Sequence, residues 1–140
     1  MKVLVDTNIV LDVLLKRVPF YEDSFTMFQL SDSRSISGVL AAISITNIFY
    51  MLRKTGKSSA EVYQDLDDII GVFNVAPVFE TTVSTALALR WNDFEDAVQF
   101  ITAKECEVDY IITRNKADYI TSEISCMTPA EFIALLKENE

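Results

Sequence analysis

The chain contains no histidine, which removes both the usual zinc ligand and the usual general base near neutral pH. Cysteine is nearly as scarce. Cys106 and Cys126 lack the CxxC spacing, so two ordinary thiols are expected rather than a zinc or redox site. Three glycines and three prolines among 140 residues argue against collagen-like structure, disorder and long flexible linkers. Cationic side chains are outnumbered, with 12 Lys and Arg against 21 Asp and Glu and a formal net charge of −9. Taken alone, that balance argues against a nucleic-acid partner, because phosphate binding is driven by cationic neutralisation and counterion release. Seven of these cations form three small groups: Lys16 and Arg17; Arg53, Lys54 and Lys57; Arg114 and Lys116. Solvated helix faces account for most of them. No apolar run approaches the roughly 18 residues of a membrane span, and MKVLVDTN reaches the charged Asp6 at its sixth position, so a cytoplasmic chain without membrane contact is expected.

What is present is apolar residue in quantity, half of the chain. A single domain over residues 1–140 fits this length, at which a fold buries roughly 70% of its extended surface. Residues 2–5 read as a strand buried on both faces. A helical pattern starts at Thr7 with Val10, Val13 and Leu14, stops before Pro19 and resumes at Tyr21, Phe25 and Phe28. Residues 36–41 read as a second strand. Ile45, Ile48, Phe49 and Leu52 mark a helix ending near Gly56, and Val62, Leu66, Ile69 and Ile70 mark another behind the cap at Ser58 and Ser59 with Glu61. Residues 72–79 form a short β-rich segment around Pro77, suited to a sheet margin. Two helices follow, one through Val83, Ala86 and Leu87 and one through Phe94, Ala97, Val98 and Ile101. Tyr110, Ile111 and Ile112 give a short buried strand. The last helix is announced by Thr128 as N-cap, Pro129 at the first position and Glu131 at the third. Strands separated by helices point to an α/β domain with a mainly parallel sheet covered on both faces.

The acids fall where such folds place their ligand sites. Asp6 closes the first strand, Asp93, Glu95 and Asp96 cluster in NDFEDA, and Asp118 follows the strand and turn of YIITRNKADY. Each has a plain explanation alone: Asp6 as a helix cap, Asp93 or Asp96 at a helix N-terminus, Asp118 in a turn. Their recurrence past separate apolar segments favours a common site. Two unit charges 4 Å apart repel by about 1 kcal/mol in bulk water and about 4 kcal/mol at an effective dielectric near 20. Either some of the acids are protonated or a divalent cation lies among them. Oxygen-only ligands suit Mg²⁺ or Mn²⁺, which would let water attack a phosphodiester without any histidine.

LVDTNIVLD, FEDAVQFITA and IITRNKADY together resemble the PIN domain family, the nuclease fold of many VapC-type toxins. The resemblance runs along nearly the whole chain. It implies a three-layer α/β/α sandwich and Mg²⁺- or Mn²⁺-dependent endoribonuclease activity, with RNA as substrate. It also implies a toxin–antitoxin setting, in which an antitoxin protein blocks the pocket with an Arg or Lys reaching the carboxylates, and a homodimer. Position by position, Asp6, Asp96 and Asp118 match metal ligands, while Asn8 and Thr113 match polar residues that orient them. Asp93 and Glu95 are supporting neighbours, and Arg114 beside Thr113 is the candidate substrate contact. One residue departs from the pattern: Asn47 in SITNIFYMLRK stands where the family usually has glutamate, as in a subgroup carrying Asn there. Asn47 lies off the apolar stripe, so it can face the pocket with a neutral oxygen but adds no charge. That weakens the case for tight metal binding, above all for a second ion. The alternative is a PIN-like module that binds RNA or protein without cutting. DTN also occurs in haloacid-dehalogenase phosphatases, but Asn8 cannot be their second acid, and receiver domains need an acid pair this chain does not place.

Overall fold

The computed structural model describes residues 1–119 and 123–140. Its sheet has five strands: β1 (Lys2–Val5), β2 (Ser37–Ala41), β3 (Asn74–Ala76), β4 (Tyr110–Ile112) and β5 (Cys126–Met127). All neighbours pair in parallel, in the order β3-β2-β1-β4-β5. Seven helices connect and cover them: α1 (Thr7–Leu14), α2 (Tyr21–Asp32), α3 (Ala42–Lys54), α4 (Ser59–Val72), α5 (Glu80–Leu89), α6 (Phe94–Glu105) and α7 (Pro129–Glu138). A short 3₁₀ helix, Lys116–Tyr119, follows β4.

Alternation along each strand divides the core into two layers. Val3 and Val5 of β1, Leu40 of β2 and Ile112 of β4 pack with Ile9, Met27, Ile48, Leu52, Val62, Ile69 and Phe132 from α1, α2, α3, α4 and α7. Leu4 and Ile111 point the other way, onto Ala86 of α5 and Ala97, Val98, Phe100 and Ile101 of α6. A sheet between two helical layers is the expected three-layer α/β/α sandwich. The expected caps are present as well. Ser58 and Glu61 form a reciprocal capping box on α4, and Thr128 and Glu131 form one on α7 behind Pro129.

Three details depart from the sequence expectations. On α5 the inward residues are Thr82 and Ala86, while Val83 and Leu87 remain 37% and 46% exposed, because α5 approaches α6 through small side chains. Phe94 opens α6 but is exposed. Residues 96 to 103 of α6 are all buried, so no single apolar stripe defines that helix. The margin expected around residues 72–79 is the edge strand β3, with Pro77 just past it. The opposite edge, β5, is a two-residue strand too short to show a period.

The chain steps from β1 outward to β2 and β3 and then returns to the other side of β1 at β4. The crevice beyond the carboxyl ends of β1 and β4 is therefore the topological switch point, where open parallel sheets bind their ligands.

Candidate functional site

Asp6 stands at that crevice, directly after β1. It occupies the N-cap position of α1 with extended backbone, yet its side chain makes no capping bond. Its carboxylate instead accepts from Thr113 Oγ1 at 2.8 Å on one oxygen and from Gln99 Nε2 at 3.3 Å on the other. Thr113 is the first residue past β4 and has no exposed surface, and its hydroxyl also accepts from the Asn115 amide at 3.0 Å. Burial pushes the Asp6 carboxyl above the ordinary carboxylate range. The two side-chain donors pull it back in part, and Glu95 pushes it up again.

The start of α6 faces Asp6. Asp93 is the N-cap, its Oδ1 accepting from the Asp96 amide at 3.1 Å, so this acid has a structural role in addition to its place in the cleft. Asp96, one turn in, is buried, and Tyr119 donates its hydroxyl to Asp96 Oδ1 at 3.2 Å. Its pKa is raised to about 7, first by burial and then by the charges of Asp6, Asp93 and Asp118, against which the Tyr119 bond acts weakly. Tyr119 is itself pushed far up by burial beside Asp6 and Asp96, so it serves as a donor. Glu95 accepts from Thr7 Oγ1 at 2.8 Å and from Gln99 Nε2 at 3.4 Å, and Thr7 Oγ1 lies 2.8 Å from Ser44 Oγ on α3. The Gln99 amide therefore bridges Asp6 and Glu95, while its Oε1 is buried without a hydrogen-bond partner.

These groups border a cleft of about 360 Å³ lined by Asp6, Thr7, Asn8, Leu11, Asn47, Tyr50, Met51, Asp93, Glu95, Asp96, Asn115 and Asp118. No Lys or Arg is among them. A larger recess of about 630 Å³ lies at the opposite, amino-terminal edge of the strands. Its mixed lining, including Lys2, Arg34 and Asp109, gathers no comparable set of acids, so the chemistry favours the carboxylate cleft.

The donor set suits a hard cation, because its acids and amides present oxygens and Asp96, its pKa raised by burial and then by neighbouring carboxylates, lacks a compensating positive charge. A closed cage is not present: among the described residues no three acids stand close enough together to hold a metal ion. Any divalent cation there would take one or two of these carboxylates and complete its shell with water or ligand.

Of the residues expected from the sequence, Asp6, Asn8, Asn47, Asp93, Glu95, Asp96 and Asp118 all line the cleft, and Thr113 supports Asp6 from behind. Arg114 is not brought there. Its Nε and Nη2 lie 2.8 and 3.0 Å from the two oxygens of Asp12, and its guanidinium carbon lies 4.0 Å from the Phe20 ring centroid, in a separate pocket. Asp12 has no exposed surface, so the pair holds Arg114 against α1 and away from the acids. Sequence reasoning missed Thr7, Ser44, Gln99 and Tyr119. Gln99 carried a signal: a lone amide inside AVQFITA, four residues after Glu95 and three after Asp96. Tyr119 carried none, because an aromatic after a turn reads as core.

The family model for the PIN domain matches residues 2–117. A search of curated proteins finds no match. Among solved structures, the chain is similar to VapBC2 from Rickettsia felis bound to a DNA fragment from its promoter, at 13% identity and a TM-score of 0.71, covering 91% of this chain and 98% of that one. It is also similar to a toxin–antitoxin complex from Klebsiella pneumoniae, at 20% identity and a TM-score of 0.67, covering 91% and 97%. FitAcB from Neisseria gonorrhoeae matches at 18% identity and a TM-score of 0.70, covering 91% and 98%. These likenesses speak for the fold, whereas the family model spans most of the chain with Asp6 and the acids of α6 inside it, and on that ground the chain belongs to the PIN domain family.

Proposed function

We propose that this protein is a metal-dependent endoribonuclease acting as the toxin of a toxin–antitoxin pair. One observation carries the reading: buried Asp6 and Asp96, both with raised pKa values, meet Glu95, Asp93 and Asp118 in one cleft that no basic side chain lines. Such charge is costly to keep for stability alone, and perturbed acids gathered in a cleft are a mark of function. One or two of Asp6, Asp96 and Asp118 would ligate Mg²⁺ or Mn²⁺ directly, with Asn8 and Asn47 offering neutral oxygens beside them. When bound, the ion would supply Lewis acidity toward the phosphodiester and ready water for attack on it.

The chain's own residues do the positioning. Thr113 and Gln99 fix the two Asp6 oxygens in one orientation. Tyr119 donates to Asp96 Oδ1 and so fixes the orientation of that carboxyl. With its pKa raised to about 7 in the metal-free protein, Asp96 is partly protonated near neutral pH and would give up that proton on binding a cation. The antitoxin would offer an Arg or Lys to the acids, replacing the cation that the lining lacks.

The test is incubation of a mixed RNA pool with Mn²⁺, with Mg²⁺ or with EDTA, beside an Asp6→Asn chain. Metal-dependent cuts missing from the variant are the expected result. Asn47, a neutral amide in the cleft, favours a second reading in which the module binds RNA or protein without cutting. Folded protein that cuts with neither metal would select that reading.

A further inference from the structure

The acidic cleft creates a difficulty for any RNA ligand. A polyanion approaching a chain of net charge −9 can draw little of its affinity from phosphate neutralisation by side chains, and no Lys or Arg lines the cleft itself. Most basic side chains near the site are already engaged. Arg17 and Arg114 pair with Asp12, Lys57 with Asp65 and Lys116 with Glu131, while Arg53 donates to the Lys57 carbonyl. Binding therefore needs a contact that does not depend on charge, and the bases supply one, because each has a face that can stack on an aromatic ring.

The α3 helix carries such a face. Asn47, Tyr50, Met51 and Lys54 recur at i, i+3, i+4 and i+7, one side of a helix, and the first three line the cleft. Asn47 sits among the acids, and the same side then climbs toward solvent through Tyr50, which is 61% exposed, and Met51, 38% exposed. Lys54 places its ammonium 5.0 Å from the centre of the Tyr50 ring. An exposed aromatic, a thioether and a cation without a carboxylate partner among the described residues thus meet at the mouth of the cleft. Tyr63 of α4 provides a contrast: it is equally exposed, but lies outside the cleft with its ring 5.2 Å from Phe49.

We propose that Tyr50, Met51 and Lys54 form a stacking subsite for one unpaired nucleobase of a single-stranded RNA whose backbone enters the acidic cleft. The proposal rests on reading the chain as an RNA-acting protein. Tyr50 and Met51 receive the base and Lys54 takes the adjacent phosphate. Duplexes are disfavoured because their bases are already stacked and paired.

Binding of a short fluorescein-labelled single-stranded RNA, followed by anisotropy in EDTA and again in Ca²⁺, reads the subsite apart from cleavage. Tyr50→Ala is expected to weaken binding about tenfold, within the five- to 150-fold that about 1–3 kcal/mol of stacking implies. Tyr50→Trp should restore it, and Tyr63→Ala should bind as the parent does. Lys54→Gln should lower the slope of log affinity against log salt by about one. Abasic substitution at one nucleotide should reproduce the Tyr50→Ala loss in the parent and add nothing in the variant. Parental affinity in Tyr50→Ala overturns the subsite and leaves the rim for a protein partner, and so does an RNA that binds the parent in neither buffer. Cleavage with an indifferent Tyr50 would retain the nuclease and reject the subsite, whereas Tyr50-dependent binding without cleavage would do the reverse.

Discussion

Asp96 and Asp12 are both buried acids, and their surroundings give them opposite parts. Asp96 is buried and faces other carboxylates, so the folded, metal-free protein holds its proton more tightly than the unfolded chain does. The sign follows from linkage. A carboxyl raised from an ordinary value near 4 to about 7 favours the fold at low pH, and that advantage disappears as pH climbs through this window. At about 1.4 kcal/mol per unit the ceiling is near 4 kcal/mol, and solvent screening at the open cleft reduces the expected loss to about 1–2 kcal/mol. Thermal melts of the EDTA-treated protein should thus fall by a few degrees between pH 5 and pH 8. Asp96→Asn should flatten that profile, raising Tm at pH 8 with little change at pH 5, whereas lower Tm at both would make Asp96 a structural partner of Tyr119. Asp12, by contrast, is enclosed by Arg114, Arg17 and Ser24. Asp12→Ala strands a largely buried guanidinium and should cost about 3–5 kcal/mol by urea denaturation. Replacing Asp12 and Arg114 together by Leu and Met should cost clearly less, and equal losses would show that packing, not charge, holds the pair.

Among the elements, β2 meets its neighbours with no space to spare. A Cβ on Gly38 would fall 2.5 Å from Ser31 Oγ and 2.7 Å from Phe73 Cδ1. Neither neighbour moves freely, since Ser31 donates to the Val72 carbonyl at 2.7 Å and Phe73 packs edge-on to Phe28. Gly38→Ala should therefore lower stability by about 1–3 kcal/mol, and a Tm within a degree of the parent would mean that α2 and α4 can separate at that point. The strand containing Gly38 was legible in the sequence, but the partners that crowd it were not, because a strand pattern does not tell which side chains of α2 and of the end of α4 approach it. The same division holds at the site. Asp6 and Asp118 were legible because each follows a strand ending at the same sheet edge, and Asp96 because it belongs to the acid cluster that opens α6. Arg114 was misjudged because sequence adjacency to Thr113 says nothing of direction: Thr113 turns toward Asp6 and Arg114 toward Asp12. Gln99 was passed over because α6 is buried nearly all round, which hides one polar residue within an apolar pattern.

For the whole molecule, strand order governs when the site can exist. β1 is laid down first, yet it lies between β2 and β4, and its partner on one side is more than a hundred residues away in the chain. Asp6, Asp96 and Asp118 are likewise contributed by the beginning, the late middle and the end of the sequence. A polypeptide leaving the ribosome presents Asp6 long before anything exists to stand beside it, and synthesis proceeds at about 5–20 residues per second. A chain stopped after residue 105 would lack β4, Thr113 and Asp118, and should show neither a cooperative thermal transition nor divalent-ion binding in calorimetry. Should the full chain cut RNA, the ribosome that makes it, and the messages around it, would meet only an inert fragment until the final stretch had emerged.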